Sequence, residues 1–348
     1  MKKRIALFGL GCVTLLMTAH SALAQTIAKA DSPTAVTVEN FVRAETDMYF
    51  AVAVAKGGGL GKFFHYREPM SVDEQAVIRA NRDTLYSSVV FDLDAGPVTI
   101  SMPEAAGRFM SFFVIDQDHY VPFVTYGAGK HTVTREQIGT RYIMGGIRVL
   151  VNPNSTEDIQ QVHKLQDAFR IEQAHAGSFE VPNWDRNSQK KVRAALVELG
   201  TTLPDLRHMF GKKSEVDPIR HLIGSAMAWG GNPDRDALYL NVTPAKNDGK
   251  TVYRLTVKDV PVAGFWSISV YNAEGYYQKN EHAAYSVNNL TASKNADGSV
   301  TVQFGGYDGK VPNCLPVPAG WNYMVRLYRP RDEILDGKWT FPAADPVQ

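Results

Sequence analysis

Cysteine is scarce in this sequence, which contains only Cys12 and Cys314 among 348 residues. Cys12 lies in an apolar N-terminal segment, so Cys314 has no partner for an internal disulfide bond in the rest of the chain. Stability then depends on burial of a hydrophobic core, and 44% of the residues are hydrophobic. We expect Cys314 to be a buried free thiol, because no histidine lies near it in the sequence to activate it.

Long apolar runs are absent after residue 24, which argues against a transmembrane helix in the remainder of the chain. At the N-terminus, a basic start at residues 2–4 precedes an apolar run at 5–17, and the small residues Ala22 and Ala24 follow. This pattern is typical of a cleaved secretory signal peptide. We predict a signal peptide at 1–24, a flexible arm at 25–37, and a mature protein that is periplasmic or secreted.

A charge excess of either sign is also lacking, since the formal net charge is +1. Removal of residues 1–24 removes three basic residues and no acidic ones, which leaves a net charge of −2. Binding of nucleic acid or of anionic lipid is driven largely by clustered positive charge. We therefore expect neither nucleic acid nor a membrane among the partners of this protein.

Short runs rich in valine, isoleucine, phenylalanine, tyrosine and threonine dominate two parts of the chain. Six such runs lie between residues 84 and 151, and five more lie between 237 and 329. No helical pattern separates them within either part, which favours antiparallel sandwiches over alternating strand–helix units. The fold class is predicted to be mainly β (α+β), with two jelly-roll-like antiparallel β-sandwich domains joined by a helical connector.

Helical periodicity is confined to the flanking and connecting segments. Phe41, Met48 and Val52 recur at helical spacing, and Ser155 can cap a helix that follows it. Further helices are predicted at 188–199, 203–211 and 217–229. The predicted limits are 38–205 for the N-terminal β-sandwich domain, 206–230 for the connector and 231–348 for the C-terminal domain. Asp-Gly pairs at 246–250 and 295–299 predict hairpin turns.

Several longer blocks resemble a known bacterial family with paired domains of unknown function 1254 and 1214. They include "NRDTLYSSVVFDL", "GPVTISMP", "WGGNP", "ALYLNVTPAKNDGKTVYRLTVKDVPV", "GFWSISVYNAEGYY" and "PNCLPVPAGWNYMVRLYRPR". The resemblance covers nearly the whole mature chain. It implies a mainly β fold of two jelly-roll-like domains on an exported protein, and it implies no particular reaction.

The first candidate site is "VIDQDHY", where Asp116, Asp118 and His119 crowd the end of a strand. If the strand ends at Asp116, a turn would bring the three side chains together for general acid/base chemistry or for a divalent metal. The alternative is that the two carboxylates cap the turn and His119 bonds to backbone. No His-x-His or His-Glu-x-x-His motif occurs, so no metal ligand set is assigned.

The second candidate site precedes a strand and comprises Arg82, Asp83 and Tyr86. An arginine here would hold a carboxylate of a ligand, or else one within the protein itself. The alternative is that the polar groups around Asn81 and Asp83 serve the chain where it enters the sheet.

The third candidate site is the aromatic strand and loop "GFWSISVYNAEGYY". Its aromatic rings and nearby polar side chains are the groups that a sugar-binding site needs. The alternative is an ordinary aromatic core. Its predicted ligand-binding residues are Trp266, Tyr271, Asn272, Glu274 and Tyr276.

A recognisable catalytic motif is missing, since no Gly-x-Ser-x-Gly occurs and lone helix histidines carry no assignment. The leading prediction is a binding or assembly module for a small polar or carbohydrate-like ligand. The alternatives are a metal-assisted or general acid/base enzyme centred on Asp116, Asp118 and His119, and a structural protein that forms homo-oligomers. The sequence assigns no cofactor.

Overall fold

The structure is a computed structural model, and it describes residues 32–75 and 77–347. The predicted signal peptide and most of the predicted arm lie outside these residues. Within the described ranges, no helix combines the length and the apolar character needed to cross a membrane.

The first β unit begins with a long helix and then contains mainly strands. Its elements are α1 (Phe41–Gly57), β1 (Phe64–His65), β2 (Thr84–Asp92), β3 (Val98–Met102), β4 (Met110–Asp116), β5 (Phe123–Tyr126), β6 (Gly129–Val133), α2 (Arg135–Ile138), β7 (Tyr142–Leu150), α3 (Thr156–Asp167) and β8 (Arg170–Glu172).

Two helices follow the first β unit and precede a second run of strands, which we call the second β unit. The helices are α4 (Arg186–Gly200) and α5 (Pro218–Met227). The second β unit contains β9 (Ala237–Val242), β10 (Tyr253–Val257), β11 (Trp266–Tyr271), β12 (Ser286–Asn288), β13 (Val300–Phe304), β14 (Cys314–Leu315), β15 (Asn322–Tyr328), α6 (Asp332–Leu335) and β16 (Asp345–Pro346).

Each β unit packs one sheet against another. In the first, the sheet β1-β2-β7-β4-β5 faces the sheet β6-β3-β8 across a core that includes Phe91, Ile100 and Phe112. In the second, β12-β11-β15-β9 faces β14-β13-β10-β16 across a core that includes Ile268 and Val302. Apart from the short β13–β14 pair, the strand pairs are antiparallel. The mainly β antiparallel fold class is confirmed, and the jelly-roll topology stays a prediction.

Three of the helices, α1, α4 and α5, pack together beside the sheets. Phe41 of α1, Leu196 of α4 and Ile223 of α5 share one apolar cluster with Met209 and Phe210. The predicted cap of α3 is confirmed, since Ser155 Oγ accepts the Asp158 N–H at 3.2 Å. The helix predicted at 203–211 is wrong, because that segment is a series of turns that places Met209 and Phe210 in the cluster.

The two predicted hairpins are also wrong. The Asp-Gly pair at 246–250 joins β9 to β10, and the pair at 295–299 joins β12 to β13, but each pair of strands lies in different sheets. Asp248 accepts the backbone N–H groups of Lys250 and Thr251, and Asp297 accepts that of Ser299. These local side-chain bonds stabilise the turns without requiring the flanking strands to pair.

The two β units contact each other along one face. Leu150 at the end of β7 packs with Ala237, Phe265 and Tyr328 of the second unit. Ala80, just before β2, packs with Tyr271 in a neighbouring cluster. Tyr271, one of the predicted ligand-binding residues, therefore lies at the contact between the units.

Candidate functional site

Arg326 is the centre of a buried polar layer between the two β units. It lies on β15 and is 2% exposed. Its Nη2 donates to the carbonyl oxygens of Arg79 at 2.8 Å and Ala80 at 3.1 Å, and to Tyr271 Oη at 2.7 Å. Its Nη1 donates to Ser269 Oγ at 2.9 Å. The two bonds to Arg79 O and Ala80 O tie the second unit to the chain that enters β2 of the first, and the bonds to Ser269 and Tyr271 hold the guanidinium on its own unit.

Asp83 lies beside this arginine and has no exposed surface. Its Oδ1 accepts a hydrogen bond from Asn288 Nδ2 at 3.0 Å, across the contact between the units. Burial raises the pKa of Asp83, while the charge of Arg326 and the nearby Ser267 hydroxyl act in the opposite direction. Asp83 is therefore a carboxylate used inside the protein, as the second interpretation of this stretch expected.

Tyr86 belongs to a second part of the same layer. Asn81 Nδ2 donates to the hydroxyl oxygens of Tyr86 and of Tyr328, each at 3.0 Å. Arg148 on β7 is 6% exposed, and its guanidinium lies 5.5 Å from the Tyr86 ring centroid. Arg148 donates to Asn232 Oδ1 and Gly230 O, both at 3.1 Å. The layer thus contains two buried arginines whose donors meet protein acceptors.

Arg82 points away from that layer. Its Nη1 donates to the carbonyl oxygen of Met70, and its guanidinium lies 5.4 Å from the ring centroid of Tyr285. Arg82 and Asp83 therefore serve different partners, as adjacent residues of an extended chain should.

The residues of the third candidate site do not share one surface. Trp266 lies in the core of the second unit against Phe341, and Tyr271 Oη donates to the carbonyl oxygen of Ala80 at 2.8 Å. Asn272 Oδ1 accepts the Tyr276 N–H at 2.9 Å within the turn after β11. Glu274, at the tip of that turn, is exposed. The structure separates these residues into a core, an interface and a turn.

Asp116 and Asp118 lie in the turn after β4. Asp116 Oδ1 accepts the backbone N–H groups of Asp118 and Tyr120, each at 2.9 Å. Burial, with a contribution from the charge of Asp118, raises the pKa of Asp116 to about 7. Asp118 faces outward and accepts two hydrogen bonds from Arg43, at 3.0 and 2.6 Å.

His119 points away from both carboxylates and has no exposed surface. Its Nε2 accepts the Gly230 N–H at 2.9 Å, so its proton is on Nδ1, 2.8 Å from Ser225 Oγ. Ser225 Oγ in turn donates to His221 O at 2.9 Å. Burial lowers the pKa of His119 well below its usual value. The three residues of this site have separate partners, and the turn does not bring them together.

His221 and Ser225 are residues to which the sequence assigned no role. The two ring nitrogens of His221 lie 3.0 Å from Met209 O and 2.9 Å from Asp118 O, and its ring stacks on Tyr120 at 4.4 Å. Helical spacing places both side chains on one face of α5, but only the fold brings that face against the turn after β4. Within residues 32–75 and 77–347, no group of three histidine, cysteine or acidic residues could hold a metal ion.

An open cleft of about 900 Å³ lies between the two β units. Its wall on the first unit includes Arg108, Phe109 and Tyr126, with Gln161 of α3 at one side. Asn289, Leu290 and Arg329 contribute from the second unit. None of these residues belonged to the predicted sites. They come from distant parts of the chain, and no local pattern indicated that they would meet.

Arg329 lies where the chain leaves β15, and its guanidinium is 4.3 Å from the ring centroid of Tyr126. Tyr126 is held in turn, because its hydroxyl donates to Asp236 Oδ1 at 2.6 Å. Burial and this hydrogen bond raise the pKa of Tyr126, so the phenol stays protonated. The aromatic ring thus forms a fixed platform for the arginine.

The other arginine of the cleft is already paired. Arg108 donates to both carboxylate oxygens of Asp158, at 3.0 and 2.5 Å, and to Leu150 O at 2.7 Å. Burial acts to raise the pKa of Asp158, but the Arg108 guanidinium and the Asn152 N–H together lower it below its usual value. The Arg108–Asp158 pair therefore contributes no net charge to the cleft.

A smaller depression of about 620 Å³ surrounds Val260, Arg331 and Trp339 in the second unit. Its charged residues are exposed, and Lys338 pairs with Asp336 at 3.0 Å. Because only one β unit forms it and its charges are solvated, it offers weaker specificity than the cleft.

Two family models match the chain, one over part of each β unit. The model described as Protein of unknown function (DUF1254) matches residues 60–137, and the model described as Protein of unknown function (DUF1214) matches residues 238–332. A comparison with curated proteins finds no match.

Two solved structures share the fold. The crystal structure of the VPA0106 protein from Vibrio parahaemolyticus is 17% identical, with a TM-score of 0.67 over 89% of this chain and 98% of that chain. An uncharacterized protein from Burkholderia cenocepacia is 13% identical, with a TM-score of 0.52 over 89% and 87%. At these identities the likeness concerns the fold alone. The two family matches show that one region of the chain is similar to the DUF1254 model and another to the DUF1214 model.

Proposed function

We propose that this protein is an exported binding protein that holds a small polar ligand in the cleft between its two β units. The observation that carries the proposal is the Arg329 guanidinium, which lies on the wall of a cleft between the two units and makes no side-chain hydrogen bond or ion pair to a described residue. Clefts between structural units are common ligand sites, because two walls can enclose a molecule that neither would hold alone.

The chemistry of the walls suits a small molecule with apolar faces and polar edges. Phe109 and Tyr126 offer aromatic surface, and the side-chain amides of Gln161 and Asn289 offer hydrogen-bond donors and acceptors. A carbohydrate-like ligand combines these needs, since its ring carries apolar C–H faces and hydroxyl edges.

Binding is better supported than catalysis. The described residues that line the cleft include no histidine, serine, cysteine or lysine that would act as a nucleophile or base. Of its two carboxylates, Asp158 is paired with Arg108, and Glu104 is exposed at the rim. The acid/base alternative at Asp116, Asp118 and His119 has less support, because each of these groups has its own partner within the protein.

Obstruction of the cleft tests the proposal. Leu290 is 47% exposed and lines the cleft, so Leu290→Trp should fill part of the space without disturbing the core. Leu199→Trp is the matched control, because Leu199 is 54% exposed on α4 and lies outside the cleft. The probes are simple sugars, sugar acids and small carboxylates at millimolar concentration, with binding followed by calorimetry and by the shift in melting temperature.

We expect at least one probe class to bind the parent protein and the Leu199→Trp variant, and to bind Leu290→Trp much more weakly. Equal binding to Leu290→Trp would place the ligand elsewhere. Failure of every probe to bind would argue for the structural alternative, which a mass measurement in solution would then examine as a homo-oligomer.

Export is part of the proposal and has its own test. The predicted signal peptide at 1–24 should be removed in a bacterial host that secretes the protein, so the mature chain would begin at Gln25. N-terminal sequencing of the protein from the periplasmic fraction checks this. An intact N-terminus in the cytoplasmic fraction would contradict export.

A further inference from the structure

We infer that the ligand of the cleft carries a carboxylate and that Arg329 binds it. The inference rests on the proposed function and specifies the ligand class. It starts from the contact between Arg329 and Tyr126, whose guanidinium-to-ring distance is 4.3 Å.

The contact with the Tyr126 ring face does not use the hydrogen-bonding capacity of the guanidinium N–H groups. Arg329 is half-buried, yet no side-chain hydrogen bond or ion pair links it to any residue in the part of the chain that the structure describes. Arginine carries five N–H donors in a planar fork that matches the two oxygens of a carboxylate. The cleft therefore contains an arginine whose N–H donors make no hydrogen bond to the described residues, and whose charge also acts on the buried Asp236 carboxylate.

The backbone holds this arginine in place. Arg329 has a φ of 52°, a left-handed conformation that non-glycine residues adopt only when their surroundings impose it. Its N–H donates to Asp236 O at 2.9 Å, and its carbonyl oxygen accepts the Ala263 N–H at 2.8 Å. Both bonds fix the chain direction at the end of β15, which directs the side chain onto the Tyr126 ring.

The surrounding charges favour a monoanion. The Asp236 carboxylate is engaged by the Tyr126 hydroxyl at 2.6 Å and lies 3.5 Å from Arg235 Nε. Arg108 is neutralised by Asp158, and Glu104 is exposed at the rim, where water screens its charge. Among the described residues that line the cleft, Arg329 is thus a cation without a hydrogen-bonded or ion-paired carboxylate, although its charge also acts on Asp236. This cation matches the single charge of a carboxylate better than the double charge of a phosphate.

Matched acid and neutral probes test the inference. The pairs are glucuronate with methyl glucoside, and benzoate with benzamide, each titrated calorimetrically into the parent protein and the variants. Arg329→Gln removes the charge, and Arg329→Lys keeps the charge but loses the two-pronged fork. Arg331→Gln is the control, because Arg331 is an exposed arginine two positions further along that lines the other depression.

We expect the acid of at least one pair to bind more tightly than its neutral partner. Arg329→Gln should weaken that acid by about ten- to hundredfold, the usual loss for a charge-assisted hydrogen-bonded pair. Arg329→Lys should weaken it by a smaller factor, and Arg331→Gln should bind like the parent. Unchanged melting temperatures of the free variants would show that the losses are not due to misfolding.

Two results would overturn the inference, and they are distinguishable. If acid and neutral probes bind equally, and Leu290→Trp still blocks them while Arg329→Gln does not, the cleft binds ligands but not through a carboxylate. If no probe of either kind binds, or if Leu290→Trp leaves binding unchanged, the proposed function fails together with the inference.

Discussion

Two arginines at the end of one strand, Arg326 and Arg329, have opposite environments. Arg326 is 2% exposed and makes four side-chain hydrogen bonds to groups of both β units. Arg329 is half-buried, stacks on Tyr126 and makes no side-chain hydrogen bond among the described residues. They lie three positions apart, so residue type and sequence neighbourhood do not explain the difference.

The number of guanidinium N–H groups that already bond to the protein distinguishes a structural arginine from a ligand-binding one. A guanidinium with every donor directed at fixed protein acceptors has nothing to offer a ligand, and removing it leaves those acceptors unsatisfied. A guanidinium with a free edge contributes little to folding and is available to bind an anion. Structural and ligand-binding arginines can therefore be separated by their partners, whereas their position in the sequence does not separate them.

The largest expected effect sharpens this comparison directly. Arg326→Met should lower the free energy of unfolding by about 3–5 kcal/mol, because it leaves buried carbonyl groups unsatisfied and removes the cation beside buried Asp83. Arg329→Met, the matched substitution, should lower it by less than about 1 kcal/mol, the usual worth of an exposed cation–π contact. Urea unfolding of the two variants measures both values. Equal losses would contradict the comparison.

The next largest expected loss of stability concerns His119, a second fully bonded side chain, in the turn after β4. His119→Ala should lower the free energy of unfolding by about 2–4 kcal/mol, because it creates a cavity and removes the partners of Gly230 N–H and Ser225. His208→Ala is a close control, since His208 shares the left-handed backbone, with φ values of 59° and 63°, but its side chain is 65% exposed. A stable His119→Ala variant that had lost an enzymatic activity would instead favour the acid/base alternative.

Asp116 should give the protein a pH-dependent loss of stability. Burial raises its pKa in the folded state to about 7, against its ordinary value of 3.8. The folded protein then keeps a proton that the unfolded chain releases, so stability falls as the pH rises through the interval between the two values. The expected slope is at most about 1.4 kcal/mol per pH unit.

Asp116→Asn tests this expectation, since the amide oxygen can still accept the two backbone N–H groups but cannot titrate. The variant should lack this part of the slope between the two pKa values, as measured by urea unfolding at several pH values. The exposed carboxylate of Asp73 serves as the control, and Asp73→Asn should keep the slope of the parent. Identical slopes in the parent and in Asp116→Asn would show that Asp116 does not titrate in this range.

The smallest expected loss of stability concerns Tyr126, whose ring lies under Arg329 in the cleft. Tyr126→Phe should lower the free energy of unfolding by about 1 kcal/mol, because it removes the hydrogen bond to buried Asp236. The ring remains for Arg329 to stack on, so binding of an acidic probe should change little. Tyr66→Phe, which removes a more exposed hydroxyl, is the stability control. Loss of binding in Tyr126→Phe without unfolding would assign the hydroxyl a direct role in recognition.

Much of the fold could be predicted because strand patterning is local. Alternation along "TVYRLTVKDV" places Tyr253, Leu255 and Val257 on the buried face of β10, and these three residues are buried. The choice of sheet is not local. Asp-Gly at 246–250 predicts a tight turn between β9 and β10. Whether these two strands pair depends on how the two sheets of the second unit cover their shared core, and they lie in different sheets.

The candidate sites show the same limit. Sequence reasoning identified Asp83 as important, but its partner Asn288 belongs to the other β unit, and only the assembled fold shows that the pair is internal. Tyr126 and Arg329 lie in the two strand-rich parts of the sequence and belonged to no predicted site, because the contact that distinguishes them joins two units. A single sequence indicates polar groups of interest, but it does not show which of their donors remain free.

The most direct test is a crystal structure of the protein with glucuronate at a concentration that saturates it in solution. The account predicts a carboxylate in the cleft with both oxygens about 3 Å from the N–H edge of Arg329, and no rearrangement at Arg326. Glucuronate bound elsewhere, or bound in the cleft with its carboxylate turned away from Arg329, would contradict the account.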